Sequence, residues 1–121
     1  MRLPFHQLAL TSALFCFALA LTWLLAPGLL LSTWAVELSG PTALVCRRAA
    51  ALFVGTGVML FQLRHAPPSP ARKAVATGLV ASCVLLAALG VLEWLAGHAG
   101  PGILLAAAIE TALATAFYLA R

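Results

Sequence analysis

The chain contains no aspartate, and its only acids are Glu37, Glu93 and Glu110. Charged residues make up 8% of the 121 positions, against about 25% in a typical soluble domain. Seven basic and three acidic side chains cannot cover a water-facing surface, so the solvent around most of this chain is something other than water. Catalytic signatures are missing as well. There is no His-Glu-x-x-His, no Gly-x-Ser-x-Gly elbow and no phosphate-binding glycine loop. Glu110, Glu93 and His98 could assist acid–base chemistry, but no nucleophile accompanies them, so an enzyme is the weakest reading.

Cysteine is sparse: Cys16, Cys46 and Cys83, with no Cys-x-x-Cys pair, which leaves disulfide exchange without support. Cys16 and Cys83 lie in apolar stretches and read as small buried hydrophobes. Only Cys46, near a segment end, is placed where water reaches it. No histidine falls near the middle of an apolar segment, which disfavours a haem held between buried histidines. His6 and His65 fall on one side of the membrane and His98 on the other. A His6–His65 pair lacks carboxylate or thiolate partners for a metal, so solvated surface residues are the better reading. No metal or cofactor is expected.

What is present is hydrophobic: 64% of residues, with a mean hydropathy of +1.07. The net charge of +4 does not imply nucleic acid, because the basic residues sit singly or in pairs at the ends of apolar runs. The length allows one domain. The start, Met1 to Ala26, imitates a secretory signal, but its apolar run exceeds a signal core of about 7–15 residues and is read as a retained first span.

Four spans are predicted, at about 8–26, 44–63, 74–96 and 102–120, within a single transmembrane domain covering 1–121. Each is a continuous apolar run near the roughly 20 residues a membrane helix needs, whereas a barrel strand needs about 9–11 alternating ones. Pro27 and Gly28 break or bend the chain after the first span, and the segment 29–38 reads as interfacial, with Gly40 and Pro41 as a second stop. Residues 64–73, with three prolines, form the clearest loop. The expected fold is all-α: a polytopic, compact four-transmembrane-helix bundle with a short interfacial element between the first two spans. Arg2, Arg64, Arg72, Lys73 and Arg121 fall on one side and Arg47 and Arg48 on the other. The positive-inside rule then puts both termini and the proline-rich loop in the cytoplasm. Small-residue pairs offering close helix contact are Ala51 with Gly55, Gly90 with Gly97, and Ala106 or Ala107 with Ala114.

One polar constellation stands out. Glu110 lies mid-span, roughly 12–14 Å below the outer end at 1.5 Å per residue, where a charge costs about 2.5–3.5 kcal/mol or more. It should face other helices or a wet cavity. Glu93 sits near the outer end of the third span, level with Arg47 and Arg48. Arg48 shares a stripe with Leu52, Gly55, Met59 and Gln62, which is expected to face inward and carry the guanidinium toward Glu93 and Glu110. Three readings stay open. Arg48 and Glu93 form a plain interhelical clamp while Arg47 snorkels to lipid phosphate; or Arg48, Glu93 and Glu110 shape a ligand or ion site; or Glu110 is a protonated packing residue.

The functions that follow are binding of an amphiphilic or lipid-like ligand in an intrabundle cavity near the outer leaflet, with Leu52, Phe53 and Trp94 along its tail; a proton-coupled transporter or channel working as a homodimer; and an assembly subunit for a larger membrane-protein partner. Membrane lipid is the common partner, and nucleic acid is not one.

The stretches Arg47-Arg48-Ala49-Ala50-Ala51-Leu52-Phe53-Val54-Gly55 and Glu93-Trp94-Leu95-Ala96-Gly97 give the chain a layout that resembles DoxX-like and other small four-helix bacterial membrane proteins. The resemblance implies a four-helix bundle in the bacterial inner membrane. Some DoxX-like proteins are linked to thiol or sulfur metabolism as membrane subunits, but Cys16, Cys46 and Cys83 do not reproduce a redox pair, and that activity is not carried over.

Overall fold

The computed structural model describes residues 4–121; Arg2, counted above with the basic side, lies outside them. Five helices follow one another: α1 (Phe5–Leu25), α2 (Pro27–Thr33), α3 (Gly40–Leu63), α4 (Pro70–Leu95) and α5 (Ile103–Ala120). Four are long and apolar enough to cross a membrane, with mean hydropathies of 2.2, 1.6, 2.4 and 1.9 over their best windows. The fold is an all-α, polytopic membrane bundle with one short helix between the first two spans.

Both α3 and α4 start about one turn before the expected points, for chemical reasons. Ser39 and Ser69 are N-caps whose hydroxyls accept from the Thr42 and Arg72 backbone N–H groups. Pro41 and Pro70 stand in the first turns, where a missing N–H costs nothing. Prolines that read as stops therefore open α3 and α4. Arg47 and Arg48 consequently lie about two turns inside α3, not one.

The C-termini of α4 and α2 are closed by the same device. In α4, Gly97 has φ +82°; its N–H donates to the Trp94 carbonyl and the His98 N–H to the Glu93 carbonyl, at 3.1 and 2.9 Å. That is the doubled hydrogen-bond pattern of a Schellman cap. In α2, Ala35 takes the left-handed position at φ 56°, with Ala35 N–H bonded to Ser32 O and Val36 N–H to Leu31 O.

The main packings are α1 against α3 and α4 against α5, and α1 against α5 joins the two hairpins. At the end carrying the proline-rich loop, here termed the basic end, one core draws on all four long helices: Phe5, Leu8, Ala9 and Ala13, with Leu60, Ala76 and Phe117. At the distal end the buried core consists of Ala20, Trp23, Leu31, Cys46 and Ala50, from α1, α2 and α3 alone. Trp23 packs there against Trp34, with ring centroids 5.4 Å apart. The accessible area of 7395 Å² exceeds the roughly 6,200 Å² of a compact soluble protein of this mass, as expected for two hairpins that share a core over only part of their length. Leu52, Leu85, Leu95 and Leu105 are among the large side chains turned outward, the inverse of a soluble surface and suited to hydrocarbon.

Small residues set the close approaches. A Cβ on Gly57 would come within 2.7 Å of the Phe17 ring, and Gly90 faces Ala107 and Ile103. Ala107 and Ala114 are buried as anticipated, but Ala51 and Gly55 are exposed and Gly97 belongs to a cap. The distal ends of the hairpins are clasped by the turn before α5. Gly100 N–H donates to the Trp34 carbonyl at 2.7 Å, and a Cβ on Gly102 would collide with the Thr33 carbonyl oxygen.

Candidate functional site

The inward stripe of α3 is Cys46, Ala50, Phe53, Gly57 and Leu60. Arg48, Leu52, Gly55, Met59 and Gln62 are all exposed, which corrects the expectation that their stripe faces the bundle. The physical reason is volume. α1 and α3 approach closely only where α3 presents small groups, and a guanidinium is cheaper at the membrane boundary than in a core. Arg47 is exposed beside Arg48.

Glu93 is engaged elsewhere. The cap that closes α4 folds His98 back over the helix end, and the His98 Nδ1 meets Glu93 Oε2 at 2.7 Å. Among the described residues no other carboxylate meets a basic side chain. Both side chains are largely exposed, 49% for Glu93 and 70% for His98, so the pair contributes about 1 kcal/mol or less. Trp94 is exposed as well. The structure therefore does not bring Arg48, Glu93 and Trp94 to Glu110.

Glu110 does turn inward. It sits between Ala107 and Ala114 on the buried face of α5 and is itself half-buried. Among the described residues it has no hydrogen-bond or ion-pair partner. Its polar neighbours come from positions read as inert. Cys83, on the inward stripe of α4 between Ala76 and Gly90, lies within electrostatic reach of Glu110 and of Cys16 on α1. One turn along α1, the Ser12 hydroxyl is buried without a partner. Cys16, Cys83 and Glu110 all lie roughly 15–20 Å from the basic ends of their helices at 1.5 Å per residue, near the middle of a hydrocarbon layer about 30 Å thick. The signal available in the sequence was the seven-residue spacing Ala76–Cys83–Gly90, which puts the thiol on the same face as two small residues. Cys46 is buried in the distal core, which corrects its placement within reach of water.

Two surface concavities flank these positions. A shallow groove of about 790 Å³ runs along α4 and α5, lined by Ala87, Leu104, Ala107, Ala108, Thr111 and Ala112 among others. Thr111 and Thr115 donate to carbonyls four residues back, so the groove offers no free donor, and Glu110 is not in its lining. A smaller pocket of about 240 Å³ at the basic end is lined by Phe5, His6, Arg64, His65, Ala66 and Arg72. His6 and His65, expected as separate solvated residues, are exposed but stack with centroids 6.1 Å apart and planes at 23°. No group of three metal-ligating side chains occurs among the described residues.

Fold and site together define a small polytopic α-helical membrane protein with a half-buried carboxyl, Glu110, on the inward face of α5. No family model matches the chain, no curated protein matches its sequence and no solved structure matches its fold.

Proposed function

We propose that the protein binds an amphiphilic, lipid-like molecule between its two helical hairpins, on the outer-leaflet half, with Glu110 holding the polar part. The observation that carries this reading is the Glu110 carboxyl, half-buried on the inward face of α5 without a partner among the described residues. An unpaired polar group at that depth is costly, and a ligand donor would satisfy it. The distal core leaves out α4 and α5, which supports a separation of the hairpins on that side of Glu110. Because the acid stands without Arg48, the ligand's polar group is a donor or a cation: a hydroxyl, an amine or an ammonium. The Lys/Arg bias supports a cytoplasmic basic end, and the bacterial inner membrane is the location that the DoxX-like resemblance implies.

The test is labelling of purified protein in mild detergent with a hydrophobic carbodiimide, which modifies protonated carboxyls in apolar surroundings. Native mass spectrometry of co-purified lipid is run in parallel. Glu110 should be modified after delipidation and protected before it, and Glu110→Leu should lose the retained amphiphile. Unchanged lipid retention in Glu110→Leu would refute the reading. Proton uptake by a dimer without any retained amphiphile would instead identify a proton-coupled transporter, and a monodisperse complex with a second membrane protein would identify an assembly subunit.

A further inference from the structure

The pocket at the basic end carries four cationic or cation-forming side chains and no acid. Arg64, Arg72, His6 and His65 line its 240 Å³. The three side-chain carboxylates are elsewhere: Glu37 before α3 and Glu93 at the distal end, Glu110 at mid-depth. Like charges gathered without a counter-charge repel one another and favour an anion between them.

The arrangement is held in place before any ligand arrives. The Arg72 guanidinium lies 3.9 Å over the Phe5 ring, and that of Arg64 lies 3.8 Å over Phe61. Arg72 donates from one terminal nitrogen to the Ala66 carbonyl and from the other to the Ala120 carbonyl, each at 3.1 Å. Each terminal nitrogen keeps a second N–H, and Nε is buried without a partner. Arg64 is tied to the Phe61 carbonyl. Two guanidinium groups fixed by aromatic faces and backbone carbonyls, beside two stacked imidazoles, form a donor array suited to the oxygens of a phosphate. The pocket opens where α1 begins and the proline-rich loop turns, at the basic ends of helices long enough to cross a membrane. Basic pockets between transmembrane helices on the cytoplasmic side recognise anionic headgroups.

We infer that the pocket formed by His6, Arg64, His65 and Arg72 is a binding site for a phosphate group, supplied by an anionic phospholipid headgroup or by free phosphate. It lies a bundle's half-length from Glu110 and does not depend on the amphiphile reading.

The experiment uses the full chain in neutral detergent at constant ionic strength. Phosphatidylglycerol is compared with phosphatidylcholine by native mass spectrometry, and inorganic phosphate with chloride by thermal shift. The protein should bind phosphatidylglycerol in preference to phosphatidylcholine, or be stabilised by phosphate over chloride. The first result assigns the site to a lipid headgroup and the second to a soluble anion. His6→Gln with Arg64→Gln and His65→Gln should weaken that binding roughly tenfold or more, the loss expected of at least one charge-assisted hydrogen bond. Arg47→Gln with Arg48→Gln, which also removes positive charge but at the distal end, should leave it unchanged. Arg72 is left intact because it also ties helices together. If the triple variant does not fold, His6→Gln alone serves, since the imidazole is exposed and stacks on His65 without a hydrogen-bond partner among the described residues; it should still weaken binding several-fold. Indifference of the wild-type protein to both probes, or equal weakening by the distal pair, would overturn the inference.

Discussion

Replacing Arg72 by leucine should loosen the basic end of the bundle more than any other single surface change. Arg72 lies in the first turn of α4, and its side chain reaches the proline-rich loop through Ala66, the end of α5 through Ala120, and the start of α1 through the Phe5 ring. Hydrogen bonds from a charged donor are worth about 1.5–3 kcal/mol each, and a cation over an aromatic face about 0.5–2 kcal/mol. The side chain is half-buried, so water can re-solvate the freed carbonyls, and the lower ends of these ranges apply. The expected loss is about 3–4 kcal/mol. Arg72→Lys should recover roughly half, because a single ammonium cannot serve two divergent carbonyls as a planar fork does. Unfolding in micelles, followed by far-UV circular dichroism, gives the difference. A double-mutant cycle with Phe5→Leu isolates the ring contact, with a coupling of about 0.5–2 kcal/mol. An Arg72→Leu protein within about 0.5 kcal/mol of the wild type, or no coupling to Phe5, would refute this account of the basic end.

Ala35→Gly should stabilise the protein by about 0.5–1 kcal/mol, since φ 56° suits a residue without Cβ; a lowered melting temperature would contradict the cap assignment. Gly102→Ala should cost about 1–3 kcal/mol through its clash with the Thr33 carbonyl, and should speed hydrogen exchange at the Gly100 amide, whose partner is the Trp34 carbonyl. In a cysteine-free background, single cysteines at Pro68, Gly40 and Ala99 should separate by side. Pro68 should label only from the cytoplasm and the other two only from outside, and labelling of all three from one face would defeat the topology.

How much was legible differs between the spans and the site. The four apolar runs, the break at Pro27 and the proline-rich loop could be read directly, because a chain in lipid must close its backbone hydrogen bonds within each segment. Glu110 could be placed on an inward face from the cost of exposing a carboxylate to hydrocarbon. The partners assigned to it could not. The small and polar residues on the Arg48 stripe point it inward by pattern, whereas Gly57 against Phe17 and Ala50 in the distal core set the rotation of α3 by fit. Pattern pairs Glu93 with Arg48, whereas the Gly97 cap delivers His98 to it from five residues away. The basic pocket joins His6 to Arg64, His65 and Arg72 across most of two spans, and no local spacing encodes that.

The sequence alone determined that this protein lives in lipid, how many times it crosses, and to within about a turn where its helices begin and end. Those properties follow from local chemistry: apolar length, serine caps and proline. Only the tertiary structure decided which face of each helix turns inward, and so which polar residues meet. Spans that are apolar on nearly every side carry little record of their own orientation. In a bilayer, lipid is as good a neighbour for leucine as another helix is, so packing shape at a few small residues makes the choice.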